Sequence, residues 1–93
     1  MIITWDEPKR VINIQRHALD FRDLDDLFFL RANIGTAKKG RLRAIGRLAD
    51  GTIVVIFATL GTEAISVISM RPANRKERIL VNGQKDFQAG TGL

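Results

Sequence analysis

Residues Ile53-Val54-Val55-Ile56-Phe57-Ala58 form an unbroken apolar run, with turn signals at Asp50-Gly51 before it and Gly61-Thr62 after it. The run is too short for an ordinary helix and rich in β-branched residues, so it reads as a strand. It has no polar position to turn towards water, so it is buried on both faces and lies centrally in a sheet. The flanking segments have the period-two pattern of partner strands. Arg41, Arg43, Ile45 and Arg47 alternate with Leu42, Ala44, Gly46 and Leu48. Asp50-Gly51 predicts the hairpin between them, because Gly takes positive φ readily and Asp tolerates it. After Gly61-Thr62, Ile65, Val67 and Ser69 alternate with Ser66, Ile68 and Met70. Arg71 ends this strand, and Pro72 keeps it extended. Asn74 and Glu77 then form a cap-like pair that opens a short helix through about Val81.

The first half has a different period. Ile2-Ile3-Thr4-Trp5 is β-prone. Asp6 followed by Pro8 predicts a helix start, and Val11, Ile14 and Ala18 at helical spacing extend it over residues 7–17. Asp20, with Asp23 three residues on, predicts a second helix from Phe21 to about Leu30, with Leu24, Leu27 and Phe28 as its apolar stripe. Residues 31–40 hold two glycines and no period, and read as a loop with a short extended stretch. The expected order is β-α-α-β-β-β-α. This is an α+β fold with a small, mostly antiparallel sheet packed on one face by the two N-terminal helices. One domain over residues 1–82 is expected, followed by a polar tail over 83–93 that is poorly ordered alone.

Composition narrows the chemistry. The 93 residues carry 15 Lys and Arg against 10 Asp and Glu, for a net charge of +5. Asp20, Asp23, Asp25 and Asp26 cluster early, whereas Arg41, Arg43, Arg47, Arg71, Arg75, Lys76 and Arg78 occupy the second half. This polarity suits a phosphate-rich or an acidic protein partner, and equally a solvated basic surface. There is no cysteine and a single histidine, so disulfides and thiolate metal sites are excluded and no structural zinc site or other metal centre is expected. No stretch approaches the ~18 apolar residues of a membrane span, and the N-terminus lacks a basic-then-apolar leader pattern. The expectation is a cytoplasmic chain without membrane partners.

Two motifs bring a family likeness. Trp5-Asp6-x-x-Lys9-x-x-x-Asn13-x-x-x-His17, followed by Phe21, resembles the opening signature of BrnT-type toxins of type II toxin–antitoxin systems. Ile68-Ser69-Met70-Arg71-Pro72-Ala73-Asn74-Arg75-Lys76-Glu77-Arg78 resembles the closing one, and Ala44-Ile45-Gly46-Arg47 with Asp50-Gly51 supports it. The resemblance covers residues 3–79. It implies a RelE-like ribonuclease fold, endoribonuclease cleavage of mRNA without a cofactor, and inhibited translation. It also implies neutralisation by a BrnA-like ribbon-helix-helix antitoxin, with operator DNA bound only through the toxin–antitoxin complex. A second reading is a catalytically weak homologue whose basic face docks the antitoxin and serves as a co-repressor.

Cleavage of RNA by its own 2′-hydroxyl needs a base, cations to stabilise the charged phosphorane, and an acid for the leaving 5′ oxygen. One histidine rules out a paired-imidazole mechanism, so arginine must carry more of the charge stabilisation, for which its planar fork is suited. Arg71, Arg75 and Arg78 are the candidate catalytic cations. Their alternative role is to fasten the fold by pairing with the acidic early helix. Lys9, Arg41, Arg43, Arg47 and Lys76 are the candidate RNA-binding residues. Glu77 fits either a general base or the partner of the Asn74 cap. His17 fits either an acid–base group or a ligand for the last helical carbonyls. Trp5 fits either a stacking platform or a core entry. Lys9 and Asn13 share a helix face, and either RNA contact or local hydrogen bonding explains them.

Overall fold

The computed structural model describes residues 1–81. β1 (Ile2–Trp5) leads into α1 (Glu7–His17) and α2 (Asp26–Arg31), followed by β2 (Asn33–Thr36), β3 (Leu42–Leu48), β4 (Gly51–Leu60) and β5 (Ala64–Pro72). The chain is then helical over residues 75–81, here α3. The sheet runs in the order β1-β5-β4-β3-β2. β1 pairs with β5 in parallel, and every other pairing is antiparallel. The fold is α+β. The polar tail expected over residues 83–93 lies outside the described residues.

The apolar run occupies the middle of the sheet and is buried on both faces. Ile53, Val55 and Phe57 belong to the main core with Phe21, Leu24, Phe28, Val67 and Met70. Val54 joins Ile45 and Ala73 in a smaller cluster on the opposite face, against which Val81 of α3 packs. Gly46 lets α2 approach closely, because a Cβ there would stand 2.9 Å from the Phe28 ring. β5 carries a bulge. Ile56 pairs with Ser69 and Phe57 with Val67, so Ile68 is the extra residue.

Four local expectations are corrected. The segment 31–40 contains a full edge strand, β2, so the sheet has five strands rather than four. The second helix is divided into a 3-10 turn at Phe21–Asp23 and α2, because Asp20 accepts from the Arg22 amide and Asp25 from the Phe28 amide. Two side-chain caps five residues apart start two short elements rather than one long one. The hairpin turns one residue early, since Leu48 pairs with Gly51 and Ala49 takes the left-handed conformation. In α1 the buried residue is Asn13, while Val11 and Ile12 are exposed.

Asn13 is buried because both ends of its amide are satisfied. Its Nδ2 donates to the Leu19 carbonyl (3.0 Å) and its Oδ1 accepts from the Met70 amide (2.9 Å). Either group left unpaired would cost about 1–3 kcal/mol. Trp5 enters the core edge-on against Phe21, with ring centroids 6.4 Å apart, and its indole N–H donates to Glu7.

Candidate nucleic-acid interface

The closing motif builds its own ion pair. Pro72 keeps the end of β5 extended, and the Ala73 amide donates to the Thr52 carbonyl (2.9 Å), tying the chain to the start of β4. Asn74 and Glu77 then cap α3 reciprocally. The Glu77 amide donates to Asn74 Oδ1 and the Asn74 amide to Glu77 Oε1, each at 2.9 Å. This short turn brings the Glu77 carboxylate back over β5, where Arg71 Nη1 and Nη2 donate to its two oxygens at 2.7 Å each. These two bonds hold the Glu77 carboxyl down at about 2, against the opposing push of burial and with help from the Asn74 amide. The same pair raises Arg71. Arg71 Nη1 also reaches the Pro72 carbonyl at 3.3 Å. Nε and one Nη2 hydrogen therefore have no partner among the described residues.

Arg71 and Glu77 line a cleft of about 520 Å³ on the sheet face opposite α2. Lys38 and Lys39 from the turn after β2, Arg41 and Arg43 leading into and along β3, and Ile56 of β4 complete its polar walls and floor. Five cations thus surround one carboxylate. Arg43 crosses the sheet over Gly35, with Nη2 2.9 Å from where a Cβ would stand. Its Nε is buried and has no hydrogen-bond partner among the described residues.

A second depression lies beside the first. Lys9, Ile12, Asn13, Arg16 and His17 of α1 face Ile68 and Ser69 at the bulge, enclosing a groove of about 290 Å³. Ser69 pairs in register with Ile56, which lines the cleft, and Ser69 and Arg71 are alternate residues of one strand. Ser69 of the groove and Arg71 of the cleft are therefore about 7 Å apart along β5.

The sequence-predicted residues thus fall in four places. Arg41, Arg43, Arg71 and Glu77 meet in the cleft, and Lys9 and His17 in the groove. Arg47 stands apart, in a third depression with Arg31 and Leu27. Arg75 and Lys76 are exposed on α3. Arg78 reaches back to the Ala73 carbonyl at 2.9 Å and straps the start of α3. The α1 C-terminus is closed by the Ala18 amide on the Ile14 carbonyl rather than by His17. The early acids are engaged locally. Asp20 pairs with Arg10, and Asp26 lies 3.3 Å from the terminal amine. Lys38 and Lys39 line the cleft without any motif to mark them in the sequence. Their only signal is a basic pair before Gly40, in a segment whose place at the cleft depends on the edge strand β2.

The family model described as the ribonuclease toxin BrnT of type II toxin–antitoxin systems matches residues 5–77. The crystal structure of the Brucella abortus ribonuclease toxin BrnT, at 1.1 Å resolution, is 53% identical, with a TM-score of 0.76. The match covers 81% of this chain and 99% of that one. No curated protein sequence matches the chain.

Proposed function

The chain belongs to the BrnT family of ribonuclease toxins of type II toxin–antitoxin systems, and on that premise we propose that it is an mRNA endoribonuclease that needs no metal and works at the cationic cleft. The observation that carries this reading is the set of five cations around the Arg71–Glu77 pair. A phosphate entering the cleft meets the unpaired N–H edge of Arg71 and the guanidinium groups of Arg41 and Arg43. As the 2′-oxygen attacks, the 5′-oxygen leaves and a 2′,3′-cyclic phosphate forms. The negative charge peaks on the non-bridging oxygens at mid-reaction, where fixed cations act most strongly. Glu77 is too acidic, at about 2, to accept a proton efficiently near neutral pH, and its role is to hold the plane of Arg71. The strand of RNA then crosses β5 into the adjoining groove, where Lys9 binds the next phosphate and His17 exchanges a proton with a ribose or leaving oxygen. Arg47, Arg75 and Lys76 act outside the cleft as long-range phosphate attractors, and Arg78 supports α3.

Membership of the family brings an antitoxin partner. Its proposed form is a BrnA-like ribbon-helix-helix protein that neutralises the toxin and carries it to operator DNA in the cytoplasm. Among the described residues no helix is long and apolar enough to cross a membrane. Purified protein mixed with single-stranded RNA in excess chelator should yield fragments ending in cyclic phosphate. Intact RNA, or cleavage only after a divalent ion is restored, would refute the proposal.

One observation favours a second reading. The fork of Arg71 is already filled by a carboxylate, so the cleft is also suited to an acidic side chain of the antitoxin, as in a docking module and co-repressor. Expression without the partner separates the two. Growth arrest with mRNA breakdown supports the enzyme, and neither effect supports the module.

A further inference from the structure

We propose that Asn13 is a positioning residue for Arg71, fixing the edge of β5 one residue ahead of the guanidinium. The inference rests on the reading of Arg71 as the cation that grips phosphate.

β1 covers the outer edge of β5 only as far as Val67, which pairs with Trp5. Beyond that point the edge has no strand beside it, and the Ile68 bulge frees it further from the ladder. A bulged, unpaired edge bends and twists easily. The next amide on it belongs to Met70, whose side chain is fully buried, so that amide has no access to bulk water. Asn13 Oδ1 accepts from it at 2.9 Å across 57 residues of sequence. Asn13 is itself held from the other side, because its Nδ2 donates to the Leu19 carbonyl at 3.0 Å. Leu19 follows the left-handed Ala18 that ends α1. One buried amide therefore locks the helix, its exit and the strand edge into a single unit.

The consequence falls on the adjacent residue. Arg71 follows Met70 directly, and its two bonds to Glu77 need the guanidinium in one plane. Val54 pairs with Arg71 on the inner side, so the strand is fixed on both edges around the site only while Asn13 is present. A hydrophobic residue of similar size would fill the space and leave the Met70 amide unpaired, and β5 would relax at the bulge.

The test is the titration of the Glu77 carboxyl by NMR in intact Asn13→Ala and Asn13→Asp proteins, with RNA cleavage followed in parallel. Asn13→Asp keeps the acceptor for Met70 but loses the donor to Leu19, and should move Glu77 less than Asn13→Ala does. Asn13→Ala should move it up towards its ordinary 4.5 and lower kcat by roughly tenfold or more, with little change in KM. If Asn13→Ala does not fold, Asn13→Gln displaces the same acceptor by one methylene and should raise the Glu77 titration in the same direction. A folded Asn13→Ala or Asn13→Gln protein in which Glu77 titrates as in the wild type overturns the inference. Wild-type protein that leaves RNA intact refutes the ribonuclease reading instead, and the titration still decides whether Asn13 places Arg71.

Discussion

Arg71 and Glu77 are joined by two parallel hydrogen bonds of 2.7 Å, six residues apart in sequence but on different elements, one closing β5 and the other in the first turn of α3. The carboxylate serves both this pair and the Asn74 cap. The start of the last helix and the orientation of the guanidinium are therefore one structural feature.

That coupling predicts a pH dependence. Glu77 titrates at about 2 in the folded chain against 4.5 ordinarily. A carboxyl depressed on folding stabilises the fold fully above its unfolded value, and the stabilisation is lost as pH falls through the folded one. The Tm should therefore drop between pH ~4.5 and ~2. Glu7 and Asp20 are also lowered, chiefly by the side chain of Arg10 and the backbone amide of Arg22 respectively, and contribute in the same acid range. Comparing wild type with Glu77→Gln in thermal melts isolates the Glu77 share, which should vanish in the variant. At pH 7 Glu77→Gln should be less stable by about 1–3 kcal/mol and cleave RNA about tenfold more slowly.

Gly35→Ala should impair the cleft without unfolding the protein. The new Cβ would stand 2.9 Å from Arg43 Nη2 and 3.1 Å from Cζ. Both belong to the end of a flexible side chain, so the guanidinium moves and the backbone does not. We expect a Tm within about 4–8 °C of wild type, as for a change of under about 1 kcal/mol, together with a several-fold loss in RNA cleavage. Unchanged cleavage would remove Arg43 from the site.

Gly46→Ala should do the opposite. Its Cβ would meet the Phe28 ring at 2.9 Å and Ala32 Cβ at 3.3 Å, in the packed interface between α2 and β3. Overpacking of this kind costs about 1–3 kcal/mol. Denaturant unfolding should show that loss, and cleavage by the fraction still folded should be normal. The glycine faces away from the cleft.

The sequence was legible where one signal dominated. The run Ile53–Ala58 announced the central strand, and the alternation of Arg43 and Arg47 with Ala44 and Gly46 separated the cationic face from the packed one. β2 was hidden because Asn33-Ile34-Gly35-Thr36 holds one apolar residue, as suits an edge strand with no second neighbour. The division of the second helix was hidden because Asp20 and Asp25 are both good caps, and periodicity does not choose between one long element and two short ones. In the sequence Glu77 fits either a cap partner or a base. Its pairing with Arg71 depends on α3 folding back over β5, which no local pattern encodes. Asn13 stood in the opening motif, but its burial depends on an amide 57 residues away.

The central claim is that RNA is cleaved in the cleft around Arg71. Its most direct test is the single-turnover cleavage rate of Arg71→Ala beside Arg75→Ala, in chelator, with both proteins shown by circular dichroism to be folded. Arg71→Ala should fall by about 10²–10³-fold, the loss expected when one donor to a charged intermediate is removed. Arg75→Ala, exposed on α3 outside the cleft, should retain most of the rate and lose mainly salt-sensitive binding. Equal losses in both variants, or a folded Arg71→Ala protein that cleaves at the wild-type rate, would contradict it.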